Sequence, residues 1–336
     1  MGAPELSIVI LTYNRKRLLR DCLTSLLSQQ EPAGRIELIV ADDGSTDGTQ
    51  AFVAELAQQH SHIRYVRQPH RGIPAVRNLG ITAAKADLIA IVADDYVFSP
   101  DYATTIFRFF QELPKAAIIR FEIVAAGHDL SSRLSHFYYE ISFLNRLHPQ
   151  REQPSSRWAW FLQYFRRIPL PEERIKTDHE LEAAGAAAFR REVFKKVGLF
   201  DERLLRAEDT DMTRRLKAIN VPVHYYPFHK VKHQYAFACV DTIGKCFDTG
   251  LHRYLLYKKY AGKTTIKDRA VGAVYALLDQ FLRSIWRARQ AKRAWQFFLY
   301  FPAMLFFETA VKAGFCWGVV RVMVSWSWRR RSSSDI

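Results

Sequence analysis

Along the first hundred residues, short continuous apolar runs alternate with segments whose apolar positions recur at helical spacing. LSIVILTY (6–13), ELIVADD (37–43), IRYVRQ (63–68) and DLIAIVADD (87–95) read as strands. RLLRDCLTSLLSQ (17–29), TQAFVAELAQQ (49–59) and AVRNLGITAA (75–84) read as the helices between them. A strand that is apolar throughout is covered on both faces, and strands joined through helices pair in parallel. The expected fold class is therefore α/β with a mostly parallel central sheet.

In such sheets ligands bind beyond the carboxyl ends of the strands. The polar residues at those ends are Thr12, Tyr13 and Asn14, then Asp42, Asp43 and Gly44, then Asp94 and Asp95. Each group alone is ordinary turn chemistry, and DDGSTDGT could be no more than a capped turn. Two acidic pairs on one rim are harder to dismiss. Adjacent carboxylates repel, and after an apolar strand they need a partner that wants negative charge.

Beyond residue 100 the pattern weakens. FRFFQEL (107–113) reads as helical, while residues 131–167 mix aromatics, arginine and proline without a period. That mixture fits core packing with a solvated face, or a sugar- or acceptor-binding surface. From 183 to 220 the chain gives a small-residue stretch, a helix, a turn and another helix. EAAGAAAF around Gly185 would let backbone approach a sugar on the acceptor side, and tight packing is an equal alternative. Glu208, Asp209 and Asp211 crowd one helix start, where acids also complement the helix dipole by about 0.3–1 kcal/mol each. In VPVHYYPFHKVKHQY, Pro222 and Pro227 argue against a helical metal pair of His229 and His233 and favour a loop.

Composition then bounds the partners. The chain has 336 residues, 49% hydrophobic and 25% charged, with 49 Lys and Arg against 34 Asp and Glu. That is a folded protein with an anionic partner. Residues 240–336 hold 17 Lys and Arg against 6 Asp and Glu, +11 of the total +15. There RSIWRARQAKRAW and VSWSWRRR place tryptophan beside cations, as suits a headgroup region. AWQFFLYFPAMLFF (294–307) is shorter than the about 20 apolar residues that span a bilayer. The expected division is 1–238 and a basic, aromatic, mainly helical 239–336 that binds a membrane surface or packs as a helical appendage. Cys22, Cys239, Cys246 and Cys316 form no CxxC, and MGAPELSIVILTYN has no basic leader region. The expected location is cytoplasmic, peripheral on the cytoplasmic face of the inner or plasma membrane.

With these residues in place, the chain resembles the inverting glycosyltransferases of family 2, which carry the GT-A nucleotide-sugar-binding, Rossmann-like fold. The similarity lies in SIVILTYNR, LIVADDGSTDGT, RGIPAVRNLGI, LIAIVADDYVFSPDY, GAAAFRREVFKKVGLFDERL and AEDTDMTRRL, in that order. It implies a nucleoside-diphosphate-sugar donor, a glycan or lipid-linked acceptor, and Mg2+ or Mn2+. Thr12 and Tyr13 match the nucleoside pocket, Asp42 a carboxylate accepting from the base with Asp43 beside it, and Arg77 an arginine near base and diphosphate. Asp94 and Asp95 fall on the motif written DxD, Asp94 toward the donor and Asp95 as the metal ligand. His233 matches a histidine near the cation, Asp209 the general base, and Glu208 with Gly185 the acceptor side. The motif's usual first aspartate is Ala93 here.

Three rivals share parts of this pattern. A phospho-receiver module also carries acids on a parallel-sheet rim but is shorter and lacks the AED helix. A nucleotidyltransferase would follow its first strand with a glycine-rich loop, where this chain has TYNRKR. Nucleic acid would explain the net charge, yet the cations sit in the aromatic tail away from the acidic rim, so no nucleic-acid partner is expected.

Overall fold

The structure, a computed structural model, describes residues 3–31, 34–127, 185–234 and 239–260, with isolated positions at 175, 177, 181 and between 302 and 317. Residues 131–167 and most of 294–307 lie outside the described residues.

The expected alternation is present. Strands β1 (Leu6–Thr12), β2 (Ile36–Asp42), β3 (Ile63–Arg67) and β4 (Leu88–Ala93) enclose helices α1 (Lys16–Leu27), α2 (Thr49–Gln59) and α3 (Ile73–Ala83). β5 (Tyr96–Val97), α4 (Tyr102–Glu112), β6 (Ile118–Ala125), β7 (Ala186–Arg190), α5 (Glu192–Val197), α6 (Glu208–Ala218), β8 (Val223–His233) and α7 (Cys239–Lys259) follow. The eight strands form one sheet, in the order β3-β2-β1-β4-β7-β6-β8-β5. β3, β2, β1 and β4 pair in parallel, as their apolar runs require. β7 pairs antiparallel with both β4 and β6, so the sheet is mixed beyond β4.

Two elements differ from the sequence reading, for identifiable reasons. The small-residue stretch after Gly185 is the central strand β7, in which Ala186, Ala187, Ala188 and Phe189 are all buried. The segment around Pro227 is strand β8 rather than a loop. Its pairing with β6 jumps from Phe121↔Tyr226 to Glu122↔Lys230, and Pro227 falls in that bulge, where its missing N–H breaks no ladder bond. His229, in the same bulge, is buried with Ser99 Oγ at 3.2 Å and Thr105 Oγ1 at 3.4 Å.

The described residues through Ala126, from 175 to Phe200 and from Met212 to Gln234 form one compact unit; Asp201–Asp211 and those from 239 onward form a second. The first unit's core joins Val9, Ile39, Ile91, Phe189 and Met212. Its far rim is closed by Glu37, which accepts from Ser7 Oγ (2.6 Å), Arg64 Nη1 (2.8 Å) and Lys85 N (2.6 Å). Asn78 on α3 donates to Phe200 O at 2.9 Å and accepts from Phe200 N at 3.0 Å, tying that turn to the helix. In the second unit, Lys259 Nζ contacts Asp201 Oδ2 (2.8 Å) and Asp211 Oδ1 (2.6 Å). Among the described residues no helix is long and apolar enough to cross a membrane.

Gly80 brings α3 against the sheet so closely that an added Cβ would collide with Val9 Cγ1 and press on Ala41 Cβ at 3.3 Å. Gly80→Ala should therefore destabilise the protein by about 1–3 kcal/mol, and Val9→Ala in the same chain should restore part of the loss. Chemical denaturation of the three variants measures this; an unchanged midpoint in Gly80→Ala would show that the helix is free to retreat.

Candidate active site

The register decides what meets at the rim. Thr12 stands opposite Asp42, and Leu11 opposite Ala93, so β1, β2 and β4 end at the same level. Asp94 then turns back to β1, its N–H reaching Leu11 O at 3.2 Å. Its carboxylate accepts from Thr12 Oγ1 at 2.8 Å and contacts Arg15 Nη1 at 3.2 Å. Asp95 Oδ2 lies 3.0 Å from the same Arg15 nitrogen and 3.1 Å from His233 Nε2. Asp95 Oδ1 is shielded from solvent and has no hydrogen-bond partner among the described residues.

His233 reaches this point because the end of β8 pairs with β5, Tyr96 directly opposite His233. The two rings meet edge to face at 4.9 Å. Gly185 packs beside them: a Cβ there would sit 3.4 Å from Tyr96 Cε2 and 3.6 Å from Ala93 Cβ. The strands thus bring Thr12, Asp94, Asp95, His233 and Gly185 together.

The other rim residues have different surroundings. Asp42 is fully buried, accepting from Ser45 N at 2.8 Å and from the Tyr65 hydroxyl. Asp43 accepts from Gln68 Nε2 (2.7 Å), Arg71 N (2.9 Å) and Gly72 N (2.8 Å), with His70 Nδ1 at 2.7 Å. Both carboxylates build the loops after β2 and β3. Tyr13 is 41% exposed and stacks on the His70 ring at 4.0 Å, leaving a flat aromatic pair at the mouth. Arg77 is buried on α3, its guanidinium 4.5 Å over the Phe200 ring.

Glu208 and Asp209 lie in the second unit, in the first turn of α6 with Asp211. Asp211 is fully buried and held by Lys259 Nζ and by the Tyr260 hydroxyl at 2.7 Å, so its contacts are structural. Asp209 is partly exposed and its Oδ1 accepts from Thr210 N at 2.7 Å. The structure therefore separates two acids that spacing left equivalent. Arg15 is the site residue the sequence reading missed; its signal was its place at the end of SIVILTYNR, opening a run of cations directly after the first strand of an acidic rim.

The acidic pair is electrostatically uneven. Burial raises the Asp94 carboxyl from 3.8 to about 6; Asp95 adds to this, while Arg15 and Thr12 oppose it. Burial also pushes Asp95 upward, but His233 and Arg15 more than offset it and hold Asp95 below the ordinary range. Chemically, this is one firmly ionised carboxylate beside one that is costly to ionise. Among the described residues no three His, Cys, Asp or Glu side chains gather into a metal cage. The buried, unsatisfied Asp95 Oδ1 nonetheless fits a hard cation that takes one or two carboxylates and fills its remaining positions with water and phosphate oxygens.

A pH dependence follows for the protein in EDTA. Between 3.8 and about 6 the folded chain holds a proton on Asp94 that the unfolded chain has lost, so this contribution to stability falls as pH rises through that window. Relative to Asp94→Asn, the wild type should lose on the order of 1 kcal/mol between about pH 5 and pH 7.5. Parallel denaturation curves test this, and a difference that is flat with pH would contradict it.

Comparison with known proteins agrees with this geometry. EpsJ of Bacillus subtilis (strain 168), an uncharacterized glycosyltransferase, is 30% identical over 215 residues, 62% of this chain and 54% of that protein. Chondroitin synthase of Escherichia coli is 31% identical over 222 residues, 63% of this chain and 32% of that protein. The chain thus spans about half of one curated relative and a third of the other. Among solved structures, mannosyltransferase PcManGT from Pyrobaculum calidifontis, in complex with GDP-Man and Mn2+, superposes with a TM-score of 0.59 at 16% identity. That match covers 94% of this chain and 88% of the other, and at such identity the likeness is one of fold, the GT-A fold. Residues 7–198, more than half of the sequence, match Glycosyl transferase family 2, and the chain belongs to that family.

Proposed function

We propose that this glycosyltransferase moves a sugar from a nucleoside-diphosphate donor to a hydroxyl of a glycan or lipid-linked acceptor, by direct displacement with inversion. The observation that carries the reading is the Asp94–Asp95 pair beyond β4, with Asp95 Oδ1 shielded from solvent and without a hydrogen bond among the described residues. PcManGT, of the same fold, is described with GDP-Man and Mn2+, and chondroitin synthase gives a relative that builds a polysaccharide. Asp95, with His233 beside it, would hold Mg2+ or Mn2+. When bound, such a cation offsets the charge gathering on the departing diphosphate.

The chain's own residues do the rest. Thr12 fixes Asp94 so that its carboxylate faces the donor side. The Tyr13–His70 stack offers a π-face to a nucleobase, and the loops organised by Asp42 and Asp43 frame it. Arg77, buried on α3 against the Phe200 ring, is in this reading the arginine near the base and diphosphate. The acceptor hydroxyl attacks the anomeric carbon opposite the diphosphate; the carbon–oxygen bond to phosphate breaks as the new glycosidic bond forms. Asp209 takes the hydroxyl proton, while Asp211 is engaged by Lys259 and Tyr260. Glu208 and Gly185 belong to the acceptor side of this reading.

The same reading gives 1–238 the chemistry and 239–336 the docking, on the anionic cytoplasmic face of the membrane. Its support is the +11 charge of residues 240–336 and their interleaved tryptophans, since each cation near an anionic leaflet contributes about 1 kcal/mol. No nucleic-acid partner enters it.

Nucleoside-diphosphate sugars screened by thermal shift, with and without Mn2+, test the donor class. Asp95→Ala should lose the Mn2+-linked part of donor stabilisation. Asp209→Asn should keep donor binding and lose turnover by about 10²–10⁴-fold; normal turnover in that variant would exclude it as the base. The full chain should cosediment with phosphatidylglycerol vesicles, release at high salt and ignore phosphatidylcholine; equal binding to both lipids would remove the electrostatic docking.

A further inference from the structure

We propose that Arg15 is a built-in counter-cation for the Asp94–Asp95 pair, holding the two carboxylates together without a metal and giving them up when a divalent cation binds. The inference rests on reading Asp95 as the cation ligand. One guanidinium nitrogen, Nη1, serves both acids, at 3.2 Å from Asp94 Oδ1 and 3.0 Å from Asp95 Oδ2. Without it, two neighbouring carboxylates, one buried and one half-buried, would be left with the Thr12 and His233 contacts, each on a single oxygen.

The exposures show which partner moves. The Asp94 side chain is 3% exposed and Asp95 15%, both fixed at the end of a central strand, whereas Arg15 is 41% exposed and reaches in from solvent on a long stem. A divalent cation held by Asp95 would share that carboxylate with the guanidinium, and like charges on one carboxylate at a partly desolvated rim repel strongly. Arg15 can relieve this by swinging back into water, since it leaves behind carboxylates that the incoming cation now compensates.

Nor is the Arg15 side chain needed to shape the turn that bears it. Asn14 N donates to Ser45 Oγ at 2.8 Å, Thr46 N to Asn14 Oδ1 at 2.7 Å, and Lys16 N to Asp47 Oδ2 at 2.9 Å. Those bonds fix the entry into α1 through the backbone and the Asn14 amide. Arg15 is thus a positioning residue whose side chain competes with the metal rather than supporting the loop.

The test is Mn2+ binding to the full chain without nucleotide, followed by the electron paramagnetic resonance of free Mn2+ and by calorimetry. Arg15→Gln should bind Mn2+ more tightly than wild type, by roughly tenfold, with Arg15→Lys between the two. A merely structural arginine would give the opposite sign, because a loosened loop weakens binding. Asp95→Asn should abolish binding in both backgrounds. If Arg15→Gln and Arg15→Lys bind as wild type does or more weakly, while Asp95→Asn still abolishes binding, the counter-cation role is overturned and the metal site stands. Should Arg15→Gln fail to fold, Arg15→Lys alone decides by the same sign. If no form binds Mn2+, the metal reading fails and this one falls with it.

Discussion

The parallel pairing of β1 with β2 on one side and β4 on the other is the constraint on which the site depends. It sets Thr12 beside Asp42 and Leu11 beside Ala93, so three separate segments end at one height. A one-residue slip would turn every side chain of a strand to the opposite face. The register is protected against this because each of these strands is buried along almost its whole length. Hydrophobic burial thus delivers charges to the rim that burial alone would never choose.

How the chain compensates those charges distinguishes scaffold from chemistry. At the far rim Glu37 is satisfied by Ser7, Arg64 and a backbone N–H, a closed network with nothing left to bind. Asp42 and Asp43 organise the loops after β2 and β3. The Asp94–Asp95 pair is different: one oxygen of Asp95 is shared by a guanidinium and an imidazole, and the other has no hydrogen bond among the described residues. A carboxylate so unevenly satisfied is suited to exchanging partners.

The second unit repeats the lesson on a smaller scale. Three acids begin α6, and the dipole of a helix start accommodates them all. Lys259 and Tyr260 then claim Asp211 from the far end of α7, more than forty residues along the chain. Asp201 joins the same cluster, where a bidentate contact with Arg203 and, after it, Lys259 hold its carboxyl well below the ordinary range.

What the sequence determined by itself was whatever local periodicity encodes. Continuous apolar runs identified the four parallel strands, helical spacing the helices between them, and the strand ends the rim that carries Asp42 and the Asp94–Asp95 pair. Tertiary structure alone decided the rest. β7 is alanine-rich and has no strand signature until β4 and β6 cover its two edges. β8 carries a proline that discourages strand assignment until a bulge accommodates it. Which acids the scaffold engages was equally invisible, because Tyr65, Gln68 and Lys259, which hold Asp42, Asp43 and Asp211, come from other segments. Arg15 and His233 lie 218 positions apart, and only folding places both on a single carboxylate oxygen.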